Sequence, residues 1–293
     1  MSDFKSDFKS DIGSFYPAEL SDSLTRFCAS GWPPFIWNDP AMQFAWPQWF
    51  RNFPEYQYEF RDGSGRRLAC VHTVPLRWDE SWSNLPDGLN LTDDSPVPDW
   101  NAWGGDFDGF FSDCPKLGGA LSGWDWVIAQ SLQDFQAGRS PNVLSAAATV
   151  VSSNARGQGL AGESIKWMKE IARAHGLKYV IAPLRPSRKR DFPNMDFTQY
   201  CQKRQVRDNG QVLPFDPWLR LHVKLGGRLI KPCFRSIRIR QPISVWRDWL
   251  EIDEIPVNSG RLTIPDADSL LEIDETAGIG YYSASGVWAI HNV

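Results

Sequence analysis

One unit limits what this chain can fold into more than any other. Asn142 to Val151 (NVLSAAATVV) reads as a buried strand with small residues at its centre. The glycine-rich stretch SSNARGQG follows it, then a helix from Leu160 to His175 and a short apolar strand from Tyr179 to Leu184. Ala161, Ile165, Met168 and Ala172 recur at helical spacing, Glu163 suits the positive first turn, and Arg173 with Gly176 marks the end. Strand, glycine loop, helix and strand read most simply as a parallel pair joined by a helical crossover.

The loop itself, NARGQGLAGE from Asn154 to Glu163, can be read in two ways. Gly157, Gly159 and Gly162 spell the G-x-G-x-x-G of a dinucleotide site. That fingerprint places its first glycine directly after a strand and wants an acidic residue about 20 positions on, to meet the ribose. Here Ser152 to Arg156 intervene, the next strand ends in Pro183-Leu184-Arg185, and no series of further strand-helix units surrounds it. An NAD(P) site therefore stays a minor alternative. In the second reading, successive loop amides and the positive end of the helix face a pyrophosphate, and glycines at 157 and 159 let the backbone come close.

Around this unit the pattern predicts helices over Ala18–Ser30, within Met42–Phe53, over Trp124–Phe135 and over Pro217–Leu225, the last capped by Asp216. A hairpin is expected from Tyr56–Phe60 and Arg67–Val74, with Leu68, Cys70, His72 and Val74 on one face. Cys233–Arg240 alternates as a strand, and short strands are expected at Arg261–Ile264, Leu270–Ile273 and Val287–Ile290. Fifteen tryptophans, many in proline- and glycine-rich segments such as GWPPFIW and DWNAWGG, either pack as satellite clusters or line a groove. The formal charge of −4 argues against a dedicated nucleic-acid partner. No apolar run approaches the roughly 18 residues of a membrane span. The repeat MSDFKSDFKSD lacks a signal peptide's apolar centre, which points to a frayed tail on a cytoplasmic protein. Five scattered cysteines without C-x-x-C spacing read as reduced thiols, with no metal site expected.

Arg156-Gly157-Gln158-Gly159-Leu160-Ala161, the order of elements from about Glu19 to Arg240, and HVKLGGRLI together resemble the GCN5-related N-acetyltransferase (GNAT) family. The segments APLRPSRK, LPFDPWLRLHVKLGGRLI and VWAIH are similar to a bacterial branch of it. The resemblance implies an α/β (α+β) fold with a mixed, mostly antiparallel sheet flanked by helices. The domain expected is 14–240, after a flexible tail over 1–13, with a tryptophan-rich insertion at about 76–122 and a C-terminal extension over 241–293 packed on it. It further implies acetyl-CoA or another acyl-CoA as donor and a small-molecule amine as acceptor. The central strand, at Thr149, Val150 and Val151, would hold the pantetheine arm. Arg156, Gly157, Gln158, Gly159, Leu160 and Ala161 would cradle the pyrophosphate, and Arg185, with the basic run to Arg190, would meet the adenosine phosphate or an anionic acceptor.

The family often carries a tyrosine acid four residues before the first glycine of its fourth-helix motif, and here that position is His222. His222 is the first candidate for protonating the departing thiolate, with Tyr200 second. The central strand has no carboxylate, which leaves Asp191, Asp216 or the insertion's Asp106, Asp108 and Asp113 as candidate bases. Two alternatives stand beside acetyl transfer from CoA. One uses a longer acyl chain or an acyl-carrier-protein thioester, and the other is a non-catalytic CoA-binding or scaffold module.

Overall fold

The computed structural model describes residues 12–92, 95, 100, 120–255 and 260–293. From one edge the strands run β1 (Gly13–Pro17), β2 (Gln57–Asp62), β3 (Arg67–Leu76), β4 (Val143–Val151) and β5 (Tyr179–Leu184). A separate small hairpin is formed by β6 (Arg204–Val206) and β7 (Val212–Pro214). The long strands β8 (Arg228–Pro242) and β11 (Ile279–Asn292) pair with each other, and β11 also pairs with β5. Beyond the end of β5, the same edge of β11 takes up β10 (Leu271–Asp274), which carries β9 (Arg261–Leu262). All these pairings are antiparallel except that of β4 with β5. One parallel contact in an otherwise antiparallel sheet is incompatible with a doubly wound dinucleotide fold, and the NAD(P) alternative is dropped.

Helices cover both faces. Gln57 and His72 are cross-strand partners, and their face receives α1 (Asp22–Ala29), the single turn α2 (Pro34–Trp37), α3 (Pro40–Asn52) and α4 (Gly123–Gln136). Tyr58, the next residue of β2, points the other way and meets Trp167 of α5 (Leu160–Ala174) edge to face at 5.3 Å. The short α6 (Phe197–Gln202), then α7 (Pro217–Lys224) and α8 (Ile243–Leu250) complete the helices described. Asp216 caps α7 through Oδ1, which accepts from the Trp218 and Leu219 amides at 2.9 and 3.2 Å, and Pro217 stands at the first helical position.

Several expectations need correction. The first helix begins at Asp22, because the Ala18 amide donates to Gln57 O at 2.9 Å and keeps the chain extended beside β2. Gly13 opens an edge strand and so does not belong to a tail; residues 1–11 lie outside the described residues. The last segment is no appendage packed on a finished domain. β11 is an interior strand of the sheet, with β5 on one side and β8 on the other. Its glycine and serine content hid it, and the close approach explains that content: a Cβ at Gly286 would stand 3.0 Å from Cys233 Sγ and 3.1 Å from Leu184 O.

The insertion's described part is packing material. Trp78 and Trp100 are buried, and Trp288 Nε1 of β11 donates to Pro86 O at 2.7 Å. The amide of Phe234 donates to Asp87 O at 2.7 Å, and Lys231 Nζ to Ser83 O at 2.8 Å. Each tryptophan buried in this way removes roughly 150–250 Å² from water, a gain on the order of 4–6 kcal/mol before entropy is counted.

Candidate active site

β4 and β5 pair only at Val143–Ser145 with Tyr179–Ile181. Past Ser145 each strand is held on its outer side, β4 by β3 and β5 by β11, while their facing edges separate. A bulge sets the angle of β4: His72 faces Ala148 and Thr73 faces Ala146, which leaves Ala147 as the extra residue. Trp124 Nε1 donates to the Ala147 carbonyl at 2.8 Å, satisfying the group that the bulge turns out of the ladder.

The separation opens a cleft of about 680 Å³. One wall is β4 from Ala146 to Val151, and the other is the end of β5 with its continuation, Ala182 to Ser187. Ser236 and Ile237 of β8 and Ala284 and Ser285 beside them contribute from the far strands, and Ser30 to Pro34 closes another side. Arg156 and Ala161 mark the loop at the start of α5. Gly157 and Gly159 there have φ of +82° and +83°, a region that favours glycine, and a Cβ on either would meet no atom within 4 Å. Gly159 is the N-cap of α5 and supplies no side-chain acceptor; the Gly162 amide donates to the Gly159 carbonyl at 2.8 Å, which leaves the Leu160 and Ala161 amides as the donors at the helix start. Gln158 is exposed, with Nε2 donating to Asn154 O at 3.3 Å, and Leu160 is buried beneath the loop.

Arg185 lies in the cleft wall, but its guanidinium is engaged. Nε donates to Asp268 Oδ2 at 2.8 Å and Nη2 to Asp266 O at 3.1 Å. Asp268, buried, also accepts from the Tyr282 hydroxyl. Lys189 is buried too and donates to Asp268 O and Phe192 O at 2.7 and 2.8 Å, while burial lowers its pKa. The basic run thus fastens the loop before β10 to the end of β5. Arg190 reaches the exposed carboxylate of Asp266 at 2.7 Å, and both line the cleft.

The candidate acids sit elsewhere. His222 and Tyr200 are both buried, and neither lines the cleft. His222 Nδ1 and His291 Nε2 are 2.9 Å apart, and the His222 ring stands edge-on to Trp218, which does line it. Burial, followed by the neighbouring His291, pushes His222 down to about 3; burial, followed by Lys169, pushes His291 down to about 4. Tyr200 donates to Asp216 Oδ2 at 2.7 Å, and burial together with that bond raises its pKa. Asp216 holds the Arg188 amide at 2.8 Å in addition to the two α7 amides, which leaves it no role as a free base. Asp191 pairs with Arg188 at 2.7 Å on the surface. Asp106, Asp108 and Asp113 lie outside the described residues.

Sequence reasoning missed Trp218, Ser236, Ser285 and Asp266 as lining residues. It noted the segment GWPPFIW as a groove candidate, and Trp32 from it lines the cleft with a buried indole N–H that has no acceptor among the described residues. No described residue of the insertion lines the cleft. Among the described residues no helix is long and apolar enough to cross a membrane.

No family model matches the chain. Among curated proteins, an arginine N-acetyltransferase from Aspergillus versicolor, avaD, is 26% identical over 287 residues, spanning 90% of this chain and 86% of that protein. Among solved structures, the loading GNATL domain of CurA from Lyngbya majuscula superposes with a TM-score of 0.52 at 13% identity, covering 96% of this chain and 97% of that one.

Proposed function

The chain has the fold of the GCN5-related N-acetyltransferase superfamily, and from that premise we propose that it is an acyl-CoA-dependent N-acyltransferase acting on a small-molecule amine. One observation carries the reading: the unpaired edges of β4 and β5 diverge beside an uncapped helix start with two left-handed glycines. The amide-bearing pantetheine arm is a ready partner for the free edge from Ala146 to Val151, as an added strand would be. The diphosphate then meets the amides of Arg156 to Ala161 at the positive end of α5. An amide of β4 polarises the thioester carbonyl, and the acceptor nitrogen attacks it. The C–S bond breaks as the tetrahedral intermediate collapses, and the proton shed by the new amide nitrogen goes to the thiolate.

Little further acid-base help is required. A thiolate is a competent leaving group, and the neutral fraction of the acceptor amine grows as pH approaches the amine's own pKa. The cleft wall as described contains one carboxylate, Asp266, which is paired with Arg190, and no histidine or tyrosine. His222 and Tyr200 act through packing. The avaD relative makes arginine the first acceptor to test. The free cysteines support a reducing, cytoplasmic setting.

The test is product analysis by mass spectrometry, with thiol release, for acetyl-CoA and a panel of amines headed by arginine. Activity should rise with pH until the acceptor amine's own pKa, and His222→Gln should keep turnover within about tenfold, against the 10²–10⁴ typical of a true general acid. Binding of CoA without acetylation of any amine would favour a scaffold role.

A further inference from the structure

Three side chains with metal-binding chemistry meet behind the β4 wall of the cleft. Cys28 of α1, Cys70 and His72 of β3 are all buried, and their donor atoms lie within 4.8 Å of one another. Cys28 Sγ stands 2.8 Å from Cys70 Sγ and 3.5 Å from His72 Nε2. The rest of the environment fixes which imidazole nitrogen faces the thiols. Gln57 Nε2 donates to both Phe53 O and Thr73 O, at 2.9 and 3.0 Å, so the amide orientation is set and Oε1 points at His72 Nδ1, 3.0 Å away. A carbonyl oxygen only accepts, so Nδ1 carries the proton and Nε2 offers a bare lone pair toward the sulfurs. A histidine whose far nitrogen is tied to a carbonyl is how proteins orient a ligating ring. The ring is held further by Trp46 edge-on at 4.9 Å and by Trp49 stacked at 6.0 Å.

We propose that Cys28, Cys70 and His72 bind one zinc ion that clamps helix α1 to strand β3.

Zinc–sulfur bonds of about 2.3 Å and zinc–nitrogen bonds of about 2.0–2.1 Å at tetrahedral angles put sulfur about 3.6 Å from nitrogen and the two sulfurs about 3.8 Å apart. Cys28 and His72 already stand at that distance, and Cys70 Sγ reaches it by moving out about 1 Å, a partial turn about χ1. Binding takes one proton from each thiol. Two thiolates and a divalent cation sum to zero charge, which suits a site walled by indole rings where an unbalanced charge is costly. Soft thiolate donors with imidazole select zinc over magnesium or calcium. Among the described residues no fourth protein donor joins the cluster, leaving that position to a small exogenous ligand such as water. Cys70 pairs across the ladder with Val150 of the cleft wall, and Cys28 lies just before the Ser30–Pro34 segment that also lines it, so the ion would brace two walls from behind.

The experiment is elemental analysis of the full chain, untagged and purified with reductant from zinc-supplemented cells, followed by exchange with cobalt(II). About one zinc per chain is expected, lost in Cys28→Ser and in His72→Gln, and chelation should lower the thermal midpoint of the wild type. Cobalt should give a thiolate charge-transfer band and intense tetrahedral d–d bands in the wild type, a readout independent of whether the variants fold. Metal-free wild-type protein that also gives no such cobalt spectrum would overturn the site. These measurements need no substrate, so their outcome is separate from that of the acyltransferase reading.

Discussion

The two walls of the cleft are built by opposite means. The β4 wall is main chain: small residues from Ala146 to Val151, an amide edge, and a bulge at Ala147 fixed by one indole. The β5 wall is side chain: Arg185 and Lys189 reach across some 80 residues of sequence to Asp268 and the loop before β10. A wall made of backbone tolerates changes of side chain but not of backbone conformation. A wall made of charge pairs fails when one member is removed.

That difference sets the expected order of effects. The largest belongs to Asp268→Ala, which leaves Arg185 and the Tyr282 hydroxyl facing a buried gap while Lys189 keeps its bond to the main-chain carbonyl. Breaking such a buried pair costs about 3–5 kcal/mol, measurable as a shift in urea midpoint. Survival of wild-type stability would show the wall to be held by packing instead.

The His222–His291 pair tests the same contrast through pH. Both folded-state values, about 3 and about 4, lie below the ordinary histidine value near 6.5. The unfolded chain therefore binds more protons in this window, so the pair's contribution is present above about pH 6.5 and is lost as pH falls toward 4. Asp39, pushed up to about 8 by burial, works in the opposite sense: its contribution is lost as pH rises toward that value. The readout is accordingly the difference between wild type and His291→Gln. The variant should lose less stability than the wild type between pH 6.5 and 4, and parallel curves would sink the assignment.

Smaller effects should come from the β4 side and from the exposed end of the β5 side. Thr149→Val changes a side chain on a wall that works through its amides, and acetyl-CoA affinity should stay within about threefold, well under the 1.4 kcal/mol that makes a factor of ten. Arg190→Ala removes an exposed pair with Asp266 and should alter stability by no more than about 1 kcal/mol.

Legibility in the sequence follows the same division. The β4, α5 and β5 segments were readable to within a residue or so, because strand apolarity, helical spacing and glycine punctuation are local signals. α7 was readable from Asp216-Pro217 at one end and Gly226 at the other. What was not readable depends on distant partners. β1 is a strand because β2 lies beside it, and β11 is interior because Gly286 admits Leu184 and Cys233 so closely. The Arg185–Asp268 and His222–His291 pairs join positions 83 and 69 residues apart. Cys28, Cys70 and His72 show no ligand spacing along the chain, since a helix and a strand bring them together.

The most direct test of the central claim is calorimetric titration of acetyl-CoA, with NADP as control, into wild type and Gly159→Val. Valine at φ +83° is strained and places a branched side chain where the diphosphate must approach. Saturable acetyl-CoA binding by the wild type, no NADP binding, and a loss on the order of tenfold or more in the variant are predicted. Equal acetyl-CoA affinity in both proteins, or binding of NADP alone, would contradict the account.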